Sequence, residues 1–400
     1  MDKNVIFISL DYFEEKNWLK KYNSTGISVA HHLLQNNIID GLKVIDKSIR
    51  IQRIYSLPVA SYPNGCPKLF FKSVITNEGY KLGLINFPII KHITRKKLLY
   101  KIVKHILNTT KGNIYFIIYD IYLPFWQVVF NITRKYKRAK TIVIIPDIPG
   151  KYCIEYDSYP YLLKIIKNNE LNKLLKIIPN ADAYVVLTEA IKKLLKIENK
   201  PCTVIEGMVA NYSTINLDCI PQKKIFTYAG ELNKNVGLQN MIEAFKQLEA
   251  NNIELWICGN GEMSSYIEDM SKSNCNIKYW GFVTGAQYNK ILSETFAFIN
   301  PRQNIYEYTK YSFPSKNLEY LKTGKPVIAY KLDGIPNEYD PIFIYPYDNS
   351  IEELKKAMQY VLNMSIKDYH KMQQKQIEFI KNNKLNTKQC QKILELMEKI

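Results

Sequence analysis

From Pro221 onward the sequence alternates short apolar runs with amphipathic stretches, and that alternation restricts the chain to an α/β design. The runs at 225–229, 253–258, 277–279, 296–300, 326–330 and 342–345 have strand length. The stretches at 238–250, 262–271, 286–293, 315–323 and 351–362 have helical spacing. A parallel sheet wound this way binds ligands beyond the carboxyl ends of its strands.

The first half carries the same theme less cleanly. Strands are expected at 5–10, which only Ser9 interrupts, and at 114–119, 141–145 and 184–187. In the helical stretch 91–107 an apolar stripe runs through Leu98, Leu99, Ile102, Val103, Ile106 and Leu107, while Arg95, Lys96, Lys97, Lys101 and Lys104 cover the rest. Stretch 161–178 repeats this with Lys164, Lys167, Lys173 and Lys176. Such a helix suits either an anionic membrane surface or a core stripe backed by solvated lysines.

Four hundred residues suit two domains. The expected division is a basic Rossmann-like domain at 1–215, a second domain at 222–364, and a helical tail at 365–400 that packs back on the first. The polar stretch 211–222 is the expected linker. Charge separates the halves. The net charge is +18; residues 1–220 hold 32 Lys+Arg against 17 Asp+Glu, and residues 221–400 hold 23 against 20. A positive first half attracts anionic lipid, nucleic acid or phosphorylated substrates. No nucleic-acid-binding motif accompanies it, so no nucleic-acid partner is expected. No apolar run reaches the roughly 18 residues of a membrane span. The start MDKNVIFISLDYFEE lacks signal-peptide character, which points to the cytoplasm. None of the seven cysteines forms a C-x-x-C pair, so neither a disulfide framework nor a zinc site is expected. His31, His32, His92, His105 and His370 show no constellation in the sequence.

Three strand ends carry candidate chemistry. YAGELNKNVG, 228–237, places Gly230 and Lys234 at a strand-to-helix turn, where free backbone N–H groups can hold an anion. CGNGE, 258–262, places Asn260 between two glycines, in a turn able to pass under a base or ribose. The third is richest. Asn300-Pro301-Arg302 ends a strand, and YSFPSKNLEYLKTGKPV, 311–327, follows soon after. Pro314 and Ser315 suit a helix start, with Ser315 in the first turn or as its cap. Gly324 suits its left-handed end. Ser315 and Lys316 at a helix N-terminus suit a diphosphate. Glu319, one turn on, can accept ribose hydroxyls. In the first half, Asp147 of IPDIP follows a strand and is either an acceptor-binding carboxylate or a turn residue. Thr25-Gly26 and Glu206-Gly207 are weaker candidates.

The second half resembles the donor domain of family-4 retaining glycosyltransferases. The matching pieces are YAGELNKNVGLQNMIEAF, ELWICGNGE, NIKYWGFV, INPR and EYTKYSFPSKNLEYLKTGKPVIAYKLDGIPNEY, spanning about 225–350. IYDIYLPF, IIPDIP, ADAYVVLTEAI and VIEG extend the resemblance more weakly into the first half. It is nearest to the bacterial subgroup that builds capsular or exopolysaccharide. The resemblance implies a GT-B fold, two Rossmann-like domains facing across a cleft. It also implies a nucleotide-sugar donor as co-substrate, no cofactor, no metal, and transfer with retention to a saccharide or lipid-linked acceptor. Metal independence agrees with the absence of any D-x-D, the nearest approach being Glu155-Tyr156-Asp157.

Two departures stand out. Where the family has Arg and Lys in G-R-L-x-x-x-K-G, this chain has Glu231 and Val236. Where it has the first of two glutamates seven residues apart, this chain has Tyr311. A donor diphosphate needs cationic or N–H partners. Arg302 and Lys316, with Gly230, Lys234, Asn260, Ser315 and Glu319, are therefore the expected donor-binding set. Glu307 and Asp147 are the candidate catalytic acids, Glu307 being either a group facing the sugar or a solvated loop residue. The same losses also suit a catalytically inactive GT-B subunit that binds a partner glycosyltransferase or a membrane.

Overall fold

The computed structural model describes residues 3–13, 29–63, 65–148, 160–213, 221 and 223–400. Thr25, Gly26, Cys153, Cys219 and the Glu155-Tyr156-Asp157 triplet lie outside them. The chain forms two compact units: Met1–Met208 together with Asn386–Ile400, and Val209–Leu385.

Unit 1 is built on β1 (Asn4–Leu10), β2 (Arg50–Ser56), β3 (Phe70–Phe71), β4 (Val74–Thr76), β5 (Gly79–Leu82), β6 (Leu84–Ile85), β7 (Ile114–Tyr119), β8 (Ala139–Ile145), β9 (Ala183–Val186) and β10 (Cys202–Val204). Its main sheet has the order β10-β9-β8-β7-β1-β2-β5-β4 and is parallel except for β4. Strands β3 and β6 form a separate antiparallel ribbon. The centre of the sheet falls on the most apolar runs. Every residue of β7 is buried, as expected for a parallel strand covered on both faces.

The helices are α1 (Val29–Ile45), α2 (Ile90–Thr109), α3 (Leu123–Thr133), α4 (Tyr161–Ile177) and α5 (Glu189–Leu195). A helix from the C-terminal segment, Asn386–Glu398, joins this unit. Its Cys390, Ile393, Leu396 and Met397 share a core with Val5, Phe7, Ile38, Ile39 and Leu42. Each large apolar side chain among them contributes roughly 1.5–3 kcal/mol by leaving water.

One basic residue departs from the sequence reading. Arg95 belongs to the buried side of α2 and is 2% exposed. Its guanidinium donates to Ser56 Oγ at 3.0 Å, Tyr122 Oη at 3.1 Å and the Leu57 carbonyl at 2.5 Å. It ties α2 to the end of β2, a task its long stem and planar fork can perform while its charge stays hydrogen-bonded.

Unit 2 has a five-stranded, fully parallel sheet of β11 (Lys224–Ala229), β12 (Ile253–Cys258), β13 (Ile277–Gly281), β14 (Ala297–Asn300) and β15 (Val327–Ala329), in the order β13-β12-β11-β14-β15. Helices α6 (Leu238–Lys246), α7 (Ser264–Ser273), α8 (Gly285–Glu294), α9 (Lys316–Leu321), α10 (Ile351–Leu362) and α11 (Ile366–Phe379) surround it. Apolar cores lie on both faces of the sheet. The strand expected at 342–345 is only a single bridge between Ile344 and Ile328. A 3-10 turn, Asn337–Ile342, contains Pro341 and leads directly into it. Proline supplies no N–H to a ladder.

Candidate functional site

At the carboxyl edge of the unit 2 sheet, three loops meet backbone to backbone. Gly259 follows β12 with φ +137°, and a Cβ there would stand 1.8 Å from the Gly230 carbonyl oxygen. Gly237 has φ +85°, and a Cβ would stand 2.2 Å from the Pro301 carbonyl oxygen. Only glycine fits both the φ and the space. The loops after β11, β12 and β14 are thereby gathered at one edge of the sheet. Tyr320 of α9 holds the fourth element there. Its hydroxyl accepts from the Ala229 N–H at 2.8 Å and donates to the Ala229 carbonyl at 3.0 Å. Its ring stacks on Phe298 at 4.3 Å.

The side chains expected to bind a donor are distributed over these loops. Arg302 follows β14, with its guanidinium 5.9 Å over the Tyr308 ring. Its backbone N–H lies 3.4 Å from Asn300 Oδ1, and Asn300 donates to Asn317 at 2.7 Å. Lys316 opens α9, its ammonium 3.5 Å from Tyr288 Oη and 4.8 Å over that ring. Burial pulls its pKa below the usual lysine value, against the opposing carboxylate of Glu319. Glu319 pairs with Lys322 at 2.8 Å. Gly230 donates its N–H to the Cys258 carbonyl at 3.0 Å.

Other expected residues are less engaged. Ser315 caps α9 by position, but its side chain makes no capping bond. Its αR backbone angles explain this, since a capping side chain works from an extended residue. The Lys234 side chain is exposed; only its backbone N–H is held, by Glu262 at 2.7 Å. Asn260 is exposed, with Tyr279 Oη 3.4 Å from its Oδ1. Glu307 is exposed at the start of a 3-10 turn, Glu307–Lys310. Val236, at the position of the family's usual Lys, is core, and Glu231 is exposed.

A further signal was invisible in the sequence. Among the described residues, Arg302 Nε, Tyr308 Oη, Ser312 Oγ and Asn317 Nδ2 are buried with no hydrogen-bond partner. Four orphaned polar atoms within one short stretch call for an explanation, because buried polar groups are normally paired.

Unit 1 gathers a second group. Asp11, Asp120 and Asp147 follow the carboxyl ends of β1, β7 and β8, which are neighbours in the sheet. His31 and His32 sit in the first turn of α1. His31 Nε2 lies 2.9 Å from Asp147 Oδ2, and His32 Nδ1 lies 2.7 Å from Asp11 Oδ1. Two of the five histidines, His31 and His32, therefore do form a constellation with these carboxylates, which the sequence reading did not show. Their partners lie 116 and 21 residues away along the chain, so spacing could not reveal it. Burial lowers the His31 pKa, but the Asp147 hydrogen bond and the Asp120 carboxylate outweigh it, and the net shift is upward. Burial raises the Asp120 carboxyl above its usual value.

Residues 218–379 match the family model described as glycosyl transferases group 1. The match spans nearly all of unit 2. An uncharacterized glycosyltransferase of Methanocaldococcus jannaschii is 29% identical over 132 residues, 31% of this chain and 32% of that protein. The chain thus aligns with about a third of that curated relative's length. Among solved structures, the sucrose-phosphate synthase of Thermosynechococcus elongatus superposes with a TM-score of 0.66 at 13% identity, covering 99% of this chain and 98% of that one. The lipopolysaccharide outer core galactosyltransferase WaaB superposes with a TM-score of 0.61 at 13% identity, covering 99% of each chain. A point mutant of S. aureus TarM, in a complex that contains UDP, gives 0.55 at 16% identity over 83% of this chain and 62% of that one. The chain has the GT-B fold, with two Rossmann-like sheets and C-terminal helices.

Proposed function

We propose that this protein transfers a sugar from a nucleotide-sugar donor to a saccharide or lipid-linked saccharide, with retention, in surface polysaccharide synthesis. The observation that carries the reading is the set of orphaned buried groups at Arg302, Tyr308, Ser312 and Asn317, on the loop that resembles the family's donor site. A bound nucleoside diphosphate sugar offers many acceptors and would satisfy such groups. In this reading Arg302 and Lys316 replace the Arg and Lys that Glu231 and Val236 displace. Glu319 leaves Lys322 to take the ribose hydroxyls. Gly230, Asn260, Ser315 and Lys234 line the same edge as weaker contacts.

In the transfer, the bond between the anomeric carbon and the donor phosphate oxygen breaks. A bond to the acceptor oxygen forms on the same face, and the acceptor proton passes to the departing phosphate. Negative charge grows on the diphosphate, so two cations beside it favour the transition state. Glu307 faces the sugar hydroxyls and Asp147 an acceptor hydroxyl. The excess of basic residues in the first half and the exposed apolar residues on α2 and α4 favour a peripheral place on an anionic membrane, at its cytoplasmic face.

A thermal-shift panel of UDP-, GDP-, ADP- and CMP-sugars tests the donor half. One of them should raise Tm, since a ligand at 100 times its Kd adds about 2.7 kcal/mol. Arg302→Ala should weaken that ligand roughly 10- to 100-fold by calorimetry, the loss of about 1.5–3 kcal/mol for a charged hydrogen bond. No response to any nucleotide sugar sinks the transferase. Binding without hydrolysis or transfer favours the inactive-subunit reading, which the burial of Val236 in the core supports.

A further inference from the structure

The two histidine–carboxylate pairs of unit 1 differ in kind. Adjacent residues of a helix point about 100° apart, so His31 and His32 serve different strands. The His32 pair is closed. Asp11 is buried and accepts from His32 and from the Tyr12 N–H, each at 2.7 Å, with Arg53 Nη1 at 3.7 Å. The second ring nitrogen of His32 meets Asn36 at 2.9 Å, and Arg53 continues to Asn36 and Glu78 at 2.8 and 2.9 Å. His32 is engaged at both ring nitrogens and Asp11 is buried, so this pair reads as scaffold.

The His31 pair is open. The Asp147 side chain is 62% exposed, and His31 is its hydrogen-bond partner among the described residues. A carboxylate has about four acceptor positions, so most of them face outward. An exposed ion pair contributes little to stability by itself. Behind it lies a residue without a structural account. Tyr119 is 1% exposed, its ring meets His31 edge-on at 5.6 Å, and its hydroxyl has no partner among the described residues. Asp120 adds a second, largely buried carboxylate that acts electrostatically on His31 and Tyr119.

We infer that His31 is a positioning residue. It fixes the Asp147 carboxylate so that its free oxygen receives a sugar hydroxyl, and the Tyr119 hydroxyl completes the same station. This rests on the glycosyltransferase reading above, in which Asp147 meets the acceptor. The Nε2 proton of His31 goes to one Asp147 oxygen, and the other stays an acceptor. The carboxylate is then presented in one orientation instead of sampling several, which is what positioning a reacting hydroxyl requires. Among the described residues, the groups facing His31 are Asp147 after β8, Tyr119 and Asp120 at the end of β7, and the neighbouring His32–Asp11–Arg53 network from α1, β1 and β2.

The test follows the histidine ring Cε1–H signals by NMR in the full chain, with His31 assigned by its loss in His31→Gln. Methyl α-D-glucopyranoside, methyl α-D-mannopyranoside and methyl α-D-galactopyranoside are titrated in turn. Asp147→Asn, isosteric and on the surface, should lower the His31 titration midpoint through loss of the carboxylate. At least one hexoside should move the wild-type His31 signal. Asp147→Asn and Tyr119→Phe should each weaken that response about tenfold, the worth of one hydrogen bond. A purely structural pair would change Tm in His31→Gln and leave no hexoside response to lose. A His31 signal that ignores all three hexosides, or that responds equally in Asp147→Asn, overturns the inference. The nucleotide-sugar panel reports unit 2 separately. A donor response with a silent His31 removes this inference alone, whereas a hexoside response with no donor response removes the transferase and keeps the station.

Discussion

Tyr320 shows how a single hydroxyl organises the donor edge. Ala229 is the last residue of β11, and on the β14 side the ladder pairs only Phe226 and Thr227. Beyond that point the Ala229 N–H and carbonyl have no strand beside them on that side, and the Tyr320 phenol serves both. Tyr320→Phe should keep the stack on Phe298 and remove only the oxygen. Two buried backbone groups then lose their partner, which costs about 2–4 kcal/mol in all. Chemical denaturation reads this directly, and an unchanged midpoint would mean that the loop relaxes to bring in water. The sequence showed the motif containing Tyr320 but not its task, because the partner lies 91 residues away. It showed Glu319 and Lys316 as charged groups at one helix start. It did not show that Tyr288 covers Lys316, or that Lys322 holds Glu319.

Elements were legible in proportion to how far local pattern agreed with burial. The five strands of unit 2 stood out because each is a short, near-continuous apolar run between turn signals. β2 did not, since Arg50, Gln52 and Arg53 interrupt RIQRIYS; Arg53 is nonetheless buried, its charge held by Glu78 with Asp11 nearby. β3, β4 and β6, of two or three residues each, are too short for any periodicity. The loops, by contrast, were marked by their glycines, and geometry explains why. Gly259→Ala would force a side chain into φ +137° and against the Gly230 carbonyl. It should cost at least about 2 kcal/mol through strain alone, and the lowered Tm should come with weakened donor binding, because the two loops would move apart. A variant that matches the wild type in both measurements would show that these loops need not touch.

The charge asymmetry of the whole chain finds a physical outlet in unit 1. α4 has only Leu171 and Leu174 buried among its seventeen residues, so its opening residues Tyr161, Leu162, Ile165 and Ile166 stay exposed. The start of α2 repeats this with Ile89, Ile90 and Ile93. Glu170 of α4 acts electrostatically on His92 of α2. Lys97, Lys101 and Lys104 are exposed along α2. The sequence left the apolar residues of both helices open to core stripes or to a membrane; in the first turns of α4, Tyr161, Leu162, Ile165 and Ile166 are exposed, which favours the second. Exposed apolar residues rimmed by lysines match the interface of an anionic bilayer, where each lysine contributes about 1 kcal/mol near the surface. The protein should therefore co-sediment with phosphatidylglycerol-containing vesicles and not with phosphatidylcholine alone, and raising salt from low to molar concentration should release it. Lys97→Glu combined with Lys101→Glu should weaken the association more than about tenfold, the equivalent of at least 1.4 kcal/mol. The nucleotide-sugar response of unit 2 should remain as it was, because these lysines belong to the other unit. Equal binding to neutral and anionic vesicles, or binding indifferent to the double variant, would remove the membrane from the proposal and leave the basic surface to a phosphorylated acceptor.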